Sequence, residues 1–387
     1  MGRKAGRLSR REFLKAGALG VGAAVGGALA RPGAAQKKEP IPVRPLGKTG
    51  LSVSAIGFGS YGFSNPAVLE AALDAGVTLI CTAANYQNGN AERTIGEVIK
   101  KRRDQVVLCT GWRTPKGTTA DEILRMLDES LKRLQTDHIE IMRVHNCNDP
   151  EELAQQAIFD AFAKAKEAGK VKLLGVSGHG KRLPEVYQEA IRLKSYSVLM
   201  GRYNFMEFPK QPEIIKQAGE QGLGVIAFKV GAGKQEPLIK ELMGKGMDFR
   251  RACVKWALSN ENVSSVLYFF RSLDDVTAIT AGLDEPLSEE EERLLAIYRK
   301  AAWHSYCRYC GTCAEGCPYG VEVAEIMRYA MYFRFYGLEK EAMRLYAALP
   351  EERTAARCAE CAGECLGRCP YGLPTRDNLL AAHALLT

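Results

Sequence analysis

Two cysteine runs close the chain. The first is Cys307-x-x-Cys310-x-x-Cys313-x-x-x-Cys317-Pro318, and the second is Cys358-x-x-Cys361-x-x-x-Cys365-x-x-x-Cys369-Pro370. Thiolates are soft ligands, and three of them spaced two residues apart can grip one polynuclear cluster from a single tight loop. The first run has the spacing of a [4Fe–4S] loop, a far more specific pattern than a lone C-x-x-C. Zinc sites and disulfides are the competing readings of such cysteines. The second run nearly repeats the first, with one extra residue between Cys361 and Cys365.

From Ala301 to Leu380 these runs resemble a bacterial two-cluster ferredoxin module. The resemblance implies two [4Fe–4S] clusters with crossed ligation. Cys307, Cys310, Cys313 and Cys369 would hold one, and Cys358, Cys361, Cys365 and Cys317 the other.

Upstream, the chain alternates short apolar runs with amphipathic stretches. The runs are Val53–Phe58, Val77–Thr82, Val106–Thr110, Ile139–Val144, Val171–Val176, Ser197–Gly201, Val225–Lys229 and Val263–Phe269. The helical stretches include Ala67–Ala75, Ala91–Lys100, Ala120–Leu134, Pro150–Ala168 and Leu183–Leu193, with Thr119 and Glu122 predicting a capping box. Such alternation predicts an α/β fold, a (β/α)8 TIM barrel. An open doubly wound sheet is the alternative, but no Gly-rich dinucleotide fingerprint follows the first run. Chemistry in such a barrel gathers at the C-terminal ends of the strands. Those ends carry Cys81 and Tyr86, Gly111 and Trp112, His145, Ser177, Tyr203-Asn204, Lys229 and Arg271-Ser272. The expected domains are a barrel over 42–285 and, over 286–387, a connector helix with a small α-helical two-cluster module. Val321–Leu349 is an aromatic-rich helical insert whose Tyr329, Tyr332, Phe333 and Phe335 are expected to pack against the barrel.

A chain of 387 residues suits one large domain and a small one. Its net charge of +8 points at first to nucleic acid. However, Arg3, Lys4, Arg7, Arg10, Arg11 and Lys15, opposed only by Glu12, place most of the excess in the N-terminal segment, so no nucleic-acid partner is expected. Cys81, Cys109, Cys147 and Cys253 are scattered and form no disulfide framework. Ser9-Arg10-Arg11-Glu12-Phe13-Leu14-Lys15, followed by the Gly/Ala-rich stretch Ala16–Ala30, resembles a twin-arginine export signal over residues 1–35. That stretch is short and weakly apolar for a membrane span, although an uncleaved anchor is the alternative. The resemblance implies an exported, periplasmic protein that folds and acquires its clusters before export by the twin-arginine machinery.

Over residues 42–380 the chain is similar to aldo-keto reductases of an iron–sulfur-bearing branch. The matching stretches are Arg44–Leu51, Asn85-Tyr86 with Asn90–Arg93, Ile139–His145, Gly169–Val171 with Gly175–Ser177, Tyr203-Asn204 and Phe228-Lys229. The family reduces carbonyls with NADPH through an Asp, a Tyr, a Lys and a His. The tyrosine protonates the carbonyl oxygen, the Lys–Asp pair makes it a better acid, and the histidine orients the carbonyl. Tyr86 and His145 match the catalytic tyrosine and histidine. Ser177, Tyr203, Lys229, Arg271 and Ser272 match positions that bind the cofactor. The aspartate position holds Cys81, the lysine position Gly111, and the glycine after the eighth strand is Phe270. Half of the catalytic set is therefore missing, and NADP(H) is expected only doubtfully.

Jointly these features predict an exported iron–sulfur oxidoreductase acting on a small organic substrate, carbonyl or acidic, and exchanging electrons with a redox partner protein. A non-catalytic barrel serving an electron-transfer or binding protein is the alternative. A third reading groups Cys81, Cys147 and His145 as a zinc or copper site. Side chains alternate along a strand, so Arg143 shares the interior face with His145 and is expected to turn its guanidinium toward Tyr86.

Overall fold

The computed structural model describes residues 41–206, 208, 210–231 and 248–387; the segment read as an export signal lies outside them. Strands β1 (Val43–Pro45) and β2 (Ser52–Ser54) form an antiparallel hairpin. The first expected run therefore divides, and its second half is the first barrel strand, β3 (Ile56–Gly59). Ser54 makes the break. Its hydroxyl donates to the Ile56 carbonyl and accepts from the Thr78 amide, competing with a continuous ladder.

Seven more parallel strands follow: β4 (Leu79–Cys81), β5 (Val107–Trp112), β6 (Ile139–Val144), β7 (Val171–Ser177), β8 (Val198–Arg202), β9 (Gly224–Phe228) and β10 (Val263–Tyr268). They close in sequence order, β10 pairing with β3, as an eight-stranded barrel. Leu46 and Val53 of the hairpin plug its lower end against Leu79, Cys109, Ile141, Val198 and Ile226.

Among the described residues eight helices surround the strands or connect them: α1 (Pro66–Asp74), α2 (Asn90–Ile99), α3 (Ala120–Leu134), α4 (Gln156–Glu167), α5 (Leu183–Leu193), α6 (Gln211–Glu220), α7 (Phe249–Leu258) and α8 (Leu273–Thr280). Thr119 and Glu122 form the capping box of α3. The helix expected over Pro150–Ala168 is broken at Gln155, which is extended because its side-chain amide donates to the carbonyls of Thr114 and Glu152.

Beyond the barrel, α9 (Glu289–Ala302) is held to α7 by a buried pair in which Lys255 Nζ lies 3.2 Å from Glu291. Helices α10 (Val323–Tyr336) and α11 (Glu339–Ala347) cross the C-terminal mouth of the barrel, and α12 (Thr375–Leu386) packs on α10. Among the described residues no helix is long and apolar enough to cross a membrane.

Candidate functional site

A cavity of about 700 Å³ opens at the C-terminal mouth of the barrel, roofed by α10 and α11. Tyr86 enters it from the turn after β4, His145 from the end of β6 and Lys229 from the end of β9. The backbone is strained at each point. Gln87, Asn88, Asn146 and Lys229 all have φ between 51 and 56° without being glycine, as is common where side chains must be aimed at a site.

The first group is built on Tyr86. Its ring meets that of His145 edge-on, with centroids 5.5 Å apart. His145 Nδ1 is 3.3 Å from Ser177 Oγ. Arg143, only 4 % exposed, lies close enough to Tyr86 to act on its ionisation and donates to the Thr82 carbonyl at 2.5 Å. Its Nε is buried without a partner, and no carboxylate among the described residues pairs with it. Glu140, on the opposite face of β6, is taken by Arg103 at 3.0 Å. The strand alternation thus placed Arg143 correctly. Burial pushes Tyr86 up to about 12, with Arg143 opposing it. Burial, then the Arg143 charge, holds His145 well below its ordinary range, so its imidazole is neutral at pH 7.

The lost activating pair has been overbuilt. Cys81 is buried against Cys109 in the barrel interior, and burial keeps its thiol protonated. A Cβ on Gly111 would fall on the Arg143 carbonyl oxygen and 2.9 Å from the Arg143 Cβ. A lysine therefore does not return to this position without moving the strand.

The second group escaped the sequence reading. Lys229 Nζ lies 3.0 Å from the Tyr332 hydroxyl and 3.2 Å from His179 Nδ1. Arg328 Nη1 donates to the same hydroxyl at 3.2 Å and is ion-paired with Glu325. Burial raises the Tyr332 phenol, but the Lys229 and Arg328 cations outweigh it and hold it below the ordinary tyrosine value. Burial lowers Lys229 to about 8. The i, i+4 spacing of Arg328 and Tyr332 was visible in the sequence; their convergence with a barrel residue a hundred positions away was not.

Of the residues matched to cofactor binding, Ser177 and Lys229 line the cavity. Tyr203 sits outside it, accepting from Asn260 at 3.1 Å with its ring 4.9 Å from Trp256. Ser272 caps α8. Arg271 donates to the Tyr336 carbonyl at 3.2 Å, and Asn204 to the Tyr306 hydroxyl at 3.4 Å. The C-terminal segment thus engages Asn204, Lys229 and Arg271 through Tyr306, Tyr332 and Tyr336.

Cys307, Cys310 and Cys313 of the first run and Cys369 of the second line one small cavity with Val323, Ala324 and Met327. Ala324 lines the barrel cavity as well. Cys317 lies instead among the thiols of the second run, close enough to Cys358 and Cys365 to perturb both. Backbone amides of Tyr309 and Gly363 donate to the sulfurs of Cys307 and Cys361 at 3.3 Å. Burial, then neighbouring thiols, raises Cys313 and Cys358 to about 11. Among the described residues no three of His, Cys, Asp or Glu converge on a point that would hold a single metal ion. This corrects the zinc or copper reading of Cys81, Cys147 and His145. Cys81 faces Cys109 inside the barrel, while Cys147 packs in the outer core and donates to the Asp149 carbonyl.

The aldo/keto reductase family model matches residues 56–234. L-galactose dehydrogenase of Arabidopsis thaliana is 23 % identical over 68 % of this chain and 98 % of its own length. D-threo-aldose 1-dehydrogenase of a Pseudomonas species is 28 % identical over 47 % of this chain and 67 % of its own. An aldo-keto reductase structure from Bacillus halodurans, 23 % identical, superposes with a TM-score of 0.58 over 70 % of this chain and 99 % of its own.

Proposed function

From a chain that belongs to the aldo/keto reductase family, we propose an iron–sulfur oxidoreductase that acts on a small acidic organic substrate in the barrel cavity. One observation carries the reading: three cysteines of one run and the last cysteine of the other line the same cavity. That is the crossed arrangement a two-cluster module needs. Cys307, Cys310, Cys313 and Cys369 would hold one [4Fe–4S] cluster, and Cys317, Cys358, Cys361 and Cys365 the other. Clusters held there supply one-electron transfer, exchanged with a redox partner protein.

Within the cavity Arg143 binds the substrate anion, since its buried Nε lacks a partner. His145, neutral at pH 7, donates or accepts a hydrogen bond at the substrate oxygen. The two relatives named above are dehydrogenases of neutral sugars. With Arg143, Arg113, Lys181 and Arg328 on its walls, this cavity suits a polyhydroxylated acid better.

A nicotinamide fits poorly, because Tyr306, Tyr332 and Tyr336 occupy Asn204, Lys229 and Arg271; we derive no step through it. The twin-arginine segment makes the protein an exported one.

Anaerobic purification with iron and sulfide analysis tests the reading. About eight irons per chain are expected, and Cys369→Ser should lose roughly half. Iron-free protein after anaerobic reconstitution would refute it.

A further inference from the structure

Of the tyrosines that line the barrel cavity, Tyr86 and Tyr332 have different surroundings. Tyr86 occupies the position of the family's proton donor, but the cation that acts on its ionisation is Arg143. A guanidinium stays protonated at any working pH, so it stabilises charge but passes no proton. Tyr332 accepts from two cations, one of which is a lysine. A lysine can be displaced from its charged form by burial, so it can pass a proton.

We propose that Tyr332, seated between Lys229 and Arg328 on the roof of the cavity, is the catalytic acid–base of this enzyme in place of Tyr86. The proposal rests on the oxidoreductase reading above and names the residue that moves the proton. The step is a proton transfer alone. The Tyr332 O–H bond breaks and an O–H bond forms on a substrate alkoxide, leaving a phenolate between two cations. Lys229 then returns a proton to the phenolate and becomes a neutral amine. His179, 3.2 Å from the Lys229 nitrogen and itself lining the cavity, passes a proton from solvent to restore it. In the oxidative direction the phenolate takes the proton from a substrate hydroxyl.

Other groups facing Tyr332 are consistent with this assignment. Tyr61, from the loop after β3, is 6.3 Å away between ring centroids, and Tyr336, one turn along α10, is 5.9 Å away. Both are phenols pushed upward by burial, as Tyr86 is, and remain neutral over the working range. Glu325 sits on Arg328 and tempers its charge without removing it. The balance of charge at Tyr332 is therefore positive, which favours the phenolate, and burial strengthens that attraction. The arrangement reproduces the chemical function of the missing Lys–Asp pair with residues from another part of the chain.

The test uses the full-length protein and needs no substrate. Tyrosinate absorbance is followed from pH 6 to 10 as a difference between wild type and Tyr332→Phe, which cancels any other chromophore. Wild type and Tyr86→Phe should both show one tyrosine ionising below the ordinary value of about 10, and Tyr332→Phe should lack it. Lys229→Met should move that ionisation upward, and Lys229→Arg should largely keep it. Identical titrations in wild type and Tyr332→Phe, or loss of the signal in Tyr86→Phe, overturn the proposal. Should Tyr332→Phe fail to fold, Lys229→Met decides: an unmoved ionisation overturns it. If the iron analysis fails while this titration succeeds, the oxidoreductase reading falls and the phenolate site stands. With a substrate in hand, Tyr332→Phe should lower kcat about 10²- to 10⁴-fold with little change in KM. A kcat within a few-fold of wild type refutes the catalytic role.

Discussion

Replacing Arg143 with methionine separates what this residue does for ligand binding from what it does for the fold. Methionine is about as long as arginine and adapts to irregular interior space, so the barrel loses little packing. The variant gives up the hydrogen bond to the Thr82 carbonyl. A bond to a charged group contributes about 1.5–3 kcal/mol. Against this, a buried guanidinium with no carboxylate and an unpartnered Nε carries an effective penalty of several kcal/mol. The two nearly cancel, so the unfolding free energy of Arg143→Met should change by less than about 1.5 kcal/mol. Ligand binding should behave otherwise. A charge-assisted bond from guanidinium to carboxylate is worth about 1.5–3 kcal/mol, or roughly 10- to 150-fold in Kd. Thermal melts in acetate, malonate and chloride at one ionic strength provide the assay. Tm of the wild type should rise with malonate, and Tm of the variant should stay flat. A variant destabilised by more than about 3 kcal/mol would make Arg143 a strut, and an unchanged malonate effect would remove it from anion binding.

Three further outcomes follow from other parts of the molecule. Gly111→Ala should destabilise the barrel by about 1–3 kcal/mol, because the methyl meets the fixed backbone of Arg143; a denaturation midpoint equal to wild type would refute this. His145 is held well below its ordinary range in the folded state, so below pH of about 6.5 the unfolded chain binds a proton that the folded chain does not. Stability should therefore fall as pH drops through that point, by up to about 1.4 kcal/mol per pH unit, and His145→Gln should flatten the slope; an equally steep profile in the variant would assign the effect elsewhere. Finally, Arg10→Lys with Arg11→Lys should hold the protein inside the cell, since the paired arginines are read by a receptor; fractionation showing normal export would sink the twin-arginine assignment.

The barrel was legible because each interior strand is a short apolar run and each following helix has a charged outer face. The first run misled because Val53 and Phe58 belong to different strands, divided by a serine whose hydroxyl substitutes for ladder bonds. Arg143 was placeable from the two-residue period of β6 alone. Tyr332 was not. Its aromatic neighbours on α10 suggested packing, and packing is what Phe333 and Phe335 do. Only the fold brings Lys229 to its hydroxyl. Tyr203, Arg271 and Ser272 followed the family pattern in sequence, yet each is partnered within the protein: Tyr203 by Asn260, Ser272 by the Asp275 amide, and Arg271 by Tyr336 of a C-terminal segment that the pattern did not include.

Ala324 is a party wall. This residue lines both the cysteine cavity and the barrel cavity, so the two chambers adjoin at its position. Neither can be remodelled alone at this point: a larger side chain that narrows one presses on the other. Substrate range and cysteine geometry are thereby tied to the same position, and a lineage that exchanges one substrate for another must look for its changes on the far walls, along α11 and the loops after β4 and β6.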